Sequence, residues 1–330
     1  MKANNYIVYS LILLSLILIS CQDTNTKTSS KALAASSGRI NHLSVIIDND
    51  AWKGDLGEAV REHLAAPVDG LPQEEPMFTM AQMPPEAFSS FARKNRTFLK
   101  FEKSPKSGFE VVDGKFANPQ TGIIIKANDS QQAKAVFIQN KDSIRDVFRD
   151  TEIREKQKRI RKSLKKLPEL EEQLQINVKI PTAYRIAKNE NNYLWIRKDI
   201  TNGSMNLSFT EIPFRLLSKD TNVIGQIIKI RDSIGGDAIQ TDEGGRFITE
   251  EAYAPYLFRT QIDGKPAYEV KGTWEVKNKF MAGPFISYLI EDPKRDRYVM
   301  AEGFTFAPSV DKRNYMFELE AIIRSLRFLE

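Results

Sequence analysis

The sequence predicts an α+β fold of two split β-α-β-like units with mainly antiparallel sheets, joined by a long charged helix. Three observations support this prediction. Each half alternates short β-branched and aromatic runs with amphipathic helical stretches. The second half carries four long strand-like runs in succession. A stretch rich in Lys and Arg, with helical spacing of its apolar residues, lies between the halves.

The first element is an export signal, which we assign to residues 1–20. Tyr6–Ile19 form an apolar run of 14 residues. A spanning helix needs about 20 residues, whereas the apolar region of a signal peptide has about 7–15. Leu18 and Ser20 stand three residues and one residue before Cys21, as in the cleavage site of bacterial lipoproteins. We therefore expect cleavage before Cys21 and its lipidation, with an uncleaved membrane anchor as the alternative.

Residues 21–38 are predicted to be a flexible tether. The run from Gln22 to Ser37 is rich in Ser, Thr, Asn and Ala, and such a run cannot bury enough apolar surface to fold. Gln22 replaces the aspartate that commonly retains lipoproteins in the inner membrane, which favours the outer membrane. Asp23 is a single acid where surface-display tags are acidic, so we expect the periplasmic face rather than the cell surface.

The next predicted region, residues 39–177, is an N-terminal α+β unit that includes the basic helix. The periodicity of its residues predicts a strand at the start, an amphipathic helix ended by Pro67, four short strands, and a second helix capped by Asp129 or Ser130. The predicted ranges are strand 43–47, helix 54–66, strands 78–81, 97–101, 110–112 and 122–126, and a helix from residue 131.

The basic helix is predicted over Arg154–Lys166, where eight of 13 residues are Lys or Arg. Pro168 is expected to end or kink it. Helical spacing gathers five cations on one face: Arg154, Lys158, Arg161, Lys162 and Lys165. Three interpretations remain open. The segment is a solvated connecting helix, a binding site for anionic lipid or another envelope polyanion, or a binding surface for a protein partner.

The last predicted region, residues 178–330, is a C-terminal α+β unit. Asp263-Gly264 is a hairpin signal between two long strands, Gly235-Gly236 is expected to end a helix, and Ser309 or Asp311 is expected to open the last one. The predicted ranges are strands 184–187, 193–197 and 205–210, helix 223–234, strands 254–262, 267–276, 285–290 and 298–306, and a last helix with Met316, Leu319, Ile323 and Leu326 on one face.

Composition and motifs exclude several classes of site. The body beyond Cys21 has no cysteine, so disulfides, thiol nucleophiles and thiolate metal sites are excluded there. His42 and His63 lack metal-ligand spacing and are expected to be structural. No nucleotide-binding or hydrolase motif occurs, so we predict no cofactor and no metal. The body also lacks a basic strand interleaved with aromatics, and we expect no nucleic-acid partner.

Two carboxylate pairs and three tryptophans remain. Glu74-Glu75 and Glu250-Glu251 lie in predicted loops beside aromatic residues, and a pair of acids across a cleft is what a glycoside hydrolase needs. Adjacent loop acids are usually just solvated. We predict that the three tryptophans, Trp52, Trp195 and Trp274, pack in the core or at the edge of a sheet. The more specific alternative is that they form a platform on which sugar rings stack.

Several runs of this chain resemble a lipoprotein family of the Bacteroidota that is known only as a domain of unknown function. These runs are VIIDNDAWKGDLGEAVREHL (45–64), GLPQEEPMFTM (70–80), the stretch 88–101 with Arg93 and Arg96, Asn118-Pro119-Gln120, the central charged helix, and Ile180-Pro181-x-x-Tyr184. The resemblance implies a lipid-anchored envelope protein and supplies no catalytic residues.

Together these features predict a lipid-anchored cell-envelope protein with a binding or structural role. Its expected partners are the membrane, through lipidated Cys21, and an envelope protein or anionic lipid. No reaction is identifiable, and an envelope hydrolase that uses loop carboxylates is the alternative.

Overall fold

The computed structural model describes residues 33–190, 192–218, 222–239 and 244–330. Ala35–Glu330 form one compact unit. The α+β class is confirmed, and most strand pairs are antiparallel. The predicted signal peptide, Cys21 and most of the tether lie outside the described residues. Ser36 N donates a backbone hydrogen bond to Asn118 O.

The described part of the chain contains six α-helices. They are α1 (Asn49–Lys53), α2 (Asp55–Leu64), α3 (Ser130–Ile160), α4 (Pro168–Leu174), α5 (Val223–Ala238) and α6 (Arg313–Ile323). None of these helices is long and apolar enough to cross a membrane. Short 3-10 turns cover Pro85–Ala87, Ala92–Lys94, Phe214–Leu216 and Pro293–Arg295.

The N-terminal sheet has five strands in the spatial order β2-β1-β3-β5-β4. They are β1 (His42–Ile46), β2 (Thr79–Met83), β3 (Thr97–Lys103), β4 (Gly108–Asp113) and β5 (Thr121–Ala127). Unlike the antiparallel pairing expected for this half, only β4 and β5 are antiparallel, and the other neighbours are parallel. Parallel pairing requires crossover connections, which the α1–α2 segment supplies between β1 and β2.

The C-terminal sheet has eight antiparallel strands. They are β6 (Arg185–Glu190), β7 (Tyr193–Ile200), β8 (Gly203–Pro213), β9 (Phe247–Thr249), β10 (Tyr256–Ile262), β11 (Lys265–Val276), β12 (Ala282–Asp292) and β13 (Arg297–Phe306). The order is β6-β7-β8-β13-β12-β11-β9, and β10 also pairs with β11. Two-residue strands occur at Ala34–Ala35, Ala117–Asn118, Leu164–Lys165, Ile176–Asn177, Ile180–Pro181 and Arg327–Phe328. Strand β9 was not predicted because three residues carry little periodicity.

Helix α3 joins the two sheets, as predicted. It begins after Asp129, whose carboxylate accepts a hydrogen bond from Gln132 N at 2.8 Å. Phe137 and Phe148 of this helix pack into the core of the N-terminal sheet, whereas Ile153 and Ile160 belong to a core of the C-terminal sheet. One helix therefore supplies walls to both cores.

Both faces of the C-terminal sheet are covered. Helix α6, helix α4 and the end of α3 cover one face, and α5 covers part of the other. The prediction that Gly235-Gly236 ends α5 is wrong, because the helix continues to Ala238. A Cβ at Gly235 would lie 2.9 Å from Phe247 Cδ1. The glycine therefore permits close packing of helix on strand rather than ending the helix.

The last helix is capped from a distant part of the chain. Neither Ser309 nor Asp311 opens α6, since the carboxylate of Glu75 accepts hydrogen bonds from Lys312 N at 2.6 Å and Arg313 N at 2.9 Å. A negative charge at this position also interacts favourably with the helix dipole. The cap is supplied across 237 residues of chain, so local sequence patterns do not show it.

Candidate functional site

A concavity of ligand size lies on the face of the C-terminal sheet that α5 covers only in part. Its volume is about 390 Å³, within the range of roughly 300–1,000 Å³ typical of small-molecule sites. We call it the aromatic pocket, because five aromatic side chains line it: Trp195, Phe247, Trp274, Phe304 and Phe306. Strands β7, β8, β9, β11 and β13 contribute to its floor, and Ile239, just after α5, lies at one side.

The aromatic floor is a contiguous cluster of rings. The Trp274 and Phe247 centroids are 5.0 Å apart, as are those of Phe247 and Phe304. Trp274 and Phe304 are 5.9 Å apart in an edge-on arrangement. These separations lie in the range that favours aromatic pairs. The rings therefore hold one another in place and present an apolar surface to the pocket.

Gly283 makes room for the Trp274 ring. It stands opposite Trp274 in the register of β11 and β12. A Cβ at this position would lie 3.1 Å from Trp274 Nε1 and 2.1 Å from Thr305 O. Any side chain here would displace the indole or the backbone of β13. The glycine is thus required for the local shape of the pocket floor.

One hydrogen-bond donor of the pocket lacks an acceptor. Trp274 is 2% exposed, and its Nε1 is buried with no hydrogen-bond partner in the described part of the chain. By contrast, Trp195 Nε1 donates to Asn206 Oδ1 at 3.1 Å, and Asn206 Nδ2 donates to Ser204 Oγ at 3.1 Å. An unpaired buried donor costs about 1–3 kcal/mol. An acceptor oxygen brought within hydrogen-bond distance of Nε1 would recover this free energy.

A buried ion pair supports the inner wall of the pocket. Arg231 of α5 donates to both carboxylate oxygens of Glu302 on β13, at 3.0 Å each. The guanidinium lies 3.9 Å from the Phe285 ring centroid and 4.9 Å from that of Phe247. Burial raises the pKa of Glu302, while Arg231 opposes that rise. The pair fixes α5 on the sheet and holds Phe247, a pocket residue, from behind.

A second concavity, of about 370 Å³, is lined mainly by charged side chains. Arg149 of α3 donates to Glu320 of α6 at 2.5 and 2.7 Å, and Lys271 pairs with Glu269 at 2.5 Å. Burial would raise the pKa of Glu320, but Arg149 and then Lys271 lower it to about 2. Glu320 therefore stays ionised at neutral pH and cannot donate a proton there. This arrangement is suited to joining helices rather than to acid–base chemistry.

The acids of the predicted carboxylate pairs have different surroundings. Glu75 is buried and caps α6, whereas Glu74 is exposed. Glu251 is exposed and lies 4.0 Å from Lys277. Within the described ranges, no group of three His, Cys, Asp or Glu side chains could hold a metal ion. Burial and then the nearby Arg313 lower the pKa of His42.

The five cations of the predicted basic helix do not share one helical face. Helix α3 ends at Ile160, so only Arg154 and Lys158 lie on it. Arg161 follows the last helical residue, Lys162 lies in a turn, and Lys165 belongs to the strand that pairs with Ile180–Pro181. Pro168 starts α4 instead of ending the basic helix.

These cations still form an exposed basic segment, which we define as Lys158–Lys165. Lys158, Arg161 and Lys162 are exposed and make no ion pair with any described residue. The pKa of the neighbouring Lys179 is lowered by burial and then by Arg161 and Arg327, which shows that like charges cluster here.

Two family models match the chain. Residues 36–161 match the family described as "Domain of unknown function (DUF8532)", and residues 163–325 match "Domain of unknown function (DUF4837)". No curated protein matches. The aromatic pocket lies within the second matched region, and the basic segment spans the boundary between the two.

Two solved structures are distantly similar to this chain. The Ran-binding protein Mog1p of Saccharomyces cerevisiae has 7% identity and a TM-score of 0.32, with 47% of this chain and 91% of that chain covered. A fragment of a STAR-related lipid transfer protein of Xanthomonas axonopodis has 6% identity and a TM-score of 0.22, with 44% and 96% covered. TM-scores this low establish neither a common fold nor a common function.

Proposed function

We propose that this protein is a lipid-anchored protein of the cell envelope that binds a small apolar ligand bearing a hydrogen-bond acceptor. The aromatic pocket carries this proposal, because it combines an apolar ring-lined volume with the unpartnered Trp274 Nε1. Apolar lining with a few polar groups that fix orientation is characteristic of small-molecule sites.

The envelope location is supported by the sequence around Cys21. A 14-residue apolar run followed by Leu18-Ile19-Ser20-Cys21 matches a lipoprotein signal. Gln22 after the cysteine favours the outer membrane, and we propose its periplasmic face rather than the cell surface. Several acyl chains on one cysteine hold a protein on a membrane far more firmly than a single chain does.

Binding to the pocket can be tested with 1-anilinonaphthalene-8-sulfonate, a dye whose rings are apolar and whose sulfonate accepts hydrogen bonds. We expect one saturable dye site per chain. Trp274→Phe should weaken binding up to tenfold, because it keeps an aromatic ring and removes one donor worth about 0.5–1.5 kcal/mol. Fluorescence titration of the purified chain measures both affinities.

Two further variants complete this test. Trp52→Phe removes a tryptophan from the N-terminal half and should leave dye affinity unchanged. Ser204→Phe places a ring in the pocket and should abolish binding, provided that its thermal unfolding midpoint stays within a few degrees of wild type. Equal dye affinity in the wild type, Trp274→Phe and a folded Ser204→Phe would contradict the proposal.

A further inference from the structure

The hairpin between β11 and β12 presents an apolar tip to solvent. The loop is closed by hydrogen bonds from Val276 N to Met281 O at 2.8 Å and from Lys279 N to Val276 O at 3.0 Å. Phe280 at its tip is fully exposed, and Met281 is 36% exposed. An exposed Phe on a turn that the backbone holds closed does not contribute to the core.

The same hairpin forms the rim of the aromatic pocket. Lys279 and Met281, on either side of Phe280, line the pocket together with Trp274 and Val276 of β11. The apolar surface therefore continues from the exposed tip, over Met281, to the ring-lined floor. An apolar chain entering the pocket at this rim would contact the tip first.

Cationic side chains surround this tip. Lys277 is 58% exposed, and its nearest acid, Glu251, lies 4.0 Å away and is itself 81% exposed. Lys279 and Arg197 lie at the pocket lining. An apolar residue between cations matches the interface of an anionic bilayer, where the apolar group enters the acyl region and the ammonium groups stay near phosphates.

The polar groups of the pocket lie at the same end. Ser204 is paired with Phe306 near the start of β8, and Trp274 is paired with Gly283 near the end of β11. Both residues are close to a strand end, and these two strand ends lie on the side of the sheet where the hairpin is. Trp274, whose buried Nε1 has no partner among the described residues, thus belongs to the hairpin end of β11.

We propose that the hairpin tip, Lys277–Met281, enters the membrane interface and that the aromatic pocket takes up one acyl chain of an anionic phospholipid. The chain lies over the ring-lined floor, and an ester carbonyl at its head accepts the Trp274 Nε1 hydrogen bond. This inference rests on the proposed function and specifies the class of ligand. It also identifies the hairpin as the entrance to the aromatic pocket.

The lone cysteine makes the tip directly testable. In the full lipidated chain the Cys21 sulfur is blocked, so a nitrobenzoxadiazole (NBD) maleimide should react only with an introduced thiol. Phe280→Cys is labelled and reconstituted in vesicles of phosphatidylglycerol and phosphatidylcholine. We expect a blue-shifted emission and at least fivefold protection from aqueous iodide relative to Phe91→Cys, an exposed aromatic position in the N-terminal half.

The pocket is tested in the same vesicles with phosphatidylglycerol whose acyl chains are dibrominated. Bromine quenches tryptophan fluorescence at short range, so the emission of the wild type should decrease. The decrease should be much smaller in Trp274→Phe. Trp52→Phe should retain it.

The outcomes separate the two proposals. A label at position 280 that iodide reaches as readily as one at position 91 overturns the hairpin proposal, and so does unchanged tryptophan emission with brominated lipid. Dye binding that persists in either case leaves the pocket itself intact. Maleimide labelling of the wild-type chain would contradict the anchor alone.

Discussion

Cys21 and Trp274 are the two residues on which the proposals depend most, and the sequence indicates them unequally. Cys21 is conspicuous because its context is local: an apolar run precedes it and no other cysteine occurs. Trp274 was predicted to pack in the core or at an edge. It is indeed buried, yet its Nε1 has no acceptor among the described residues. The missing acceptor depends on Gly283 and Thr305, which lie beside Trp274 only because their strands belong to the same sheet.

The prediction for Cys21 concerns processing. Cys21→Ala should abolish incorporation of labelled palmitate and leave an uncleaved precursor, because the substituted side chain has no sulfur to acylate. Gel mobility and acyl labelling in a bacterial expression host measure this. Ser20→Ala is the matched control, since it keeps a small residue before the cysteine and should be labelled normally. Palmitate incorporation into Cys21→Ala would rule out this anchor.

At the scale of elements, periodicity predicted most strands and helices but not what they pack against. Strand β11 was predicted at 267–276 and runs from Lys265 to Val276. In contrast, the predicted basic helix ends at Ile160, because Leu164–Lys165 pairs with Ile180–Pro181 instead. The parallel pairing in the N-terminal sheet was missed for the same reason: strand partners are set by tertiary contacts, which a hydrophobic pattern does not specify.

The basic segment lies beside the edge of the C-terminal sheet, where Ser163 O accepts a hydrogen bond from Thr182 N, three residues before Arg185 of β6. Arg185 pairs with Arg197 of the pocket lining. Lys179, beside the basic segment, interacts with Arg327, which pairs with Asp263 at the turn before β11. The hairpin tip follows the other end of β11, a strand of 12 residues, so about 35–40 Å separate the two ends. The basic segment therefore extends between the end of the sheet near Asp263 and the end near the pocket, and both a protein partner and anionic lipid remain its candidate ligands.

Charge reversal tests which cations hold the tip at the membrane. With the label at position 280 in phosphatidylglycerol vesicles, the triple variant Lys158→Glu, Arg161→Glu and Lys165→Glu should leave the emission shift unchanged, because these cations do not belong to the hairpin. Reversal of Lys277 and Lys279 should reduce the shift severalfold. A loss of the shift in the triple variant would place the basic segment on the membrane.

At the scale of the whole molecule, ion pairs from α3 connect the two sheets. Arg96 of the N-terminal half pairs with Glu152 at 2.9 Å, and Arg149 pairs with Glu320 of α6. The sequence predicted a long charged helix between the halves, and this is confirmed. It could not predict which charges are buried, since Glu152 and Glu320 differ in no local pattern from the exposed acids around them.

Acid unfolding should report the Arg149–Glu320 pair. The pKa of Glu320 is about 2 in the fold, well below the 4.5 of a solvated glutamate. Its stabilising contribution is therefore present above pH 4.5 and is lost as the pH falls toward 2, a change of up to about 3 kcal/mol. Urea unfolding between pH 6 and pH 2.5 measures the slope.

Two variants identify the group responsible. Glu320→Gln should be less stable at pH 7, because Arg149 loses its charged partner, and should show a shallower dependence on pH. Glu172→Gln removes an exposed acid and should keep the wild-type slope. Indistinguishable slopes in all three chains would assign the acid sensitivity to other carboxylates.

Helix α3 also bears on how the two matched regions came to occur together. The first family match ends at residue 161 and the second begins at residue 163, so α3 belongs by sequence to the first. By packing, however, its Ile153 and Ile160 complete a core of the second. A second region transferred to another chain without α3 would expose that core to water. Shuffling of these regions in evolution would therefore have to carry the helix along or replace it.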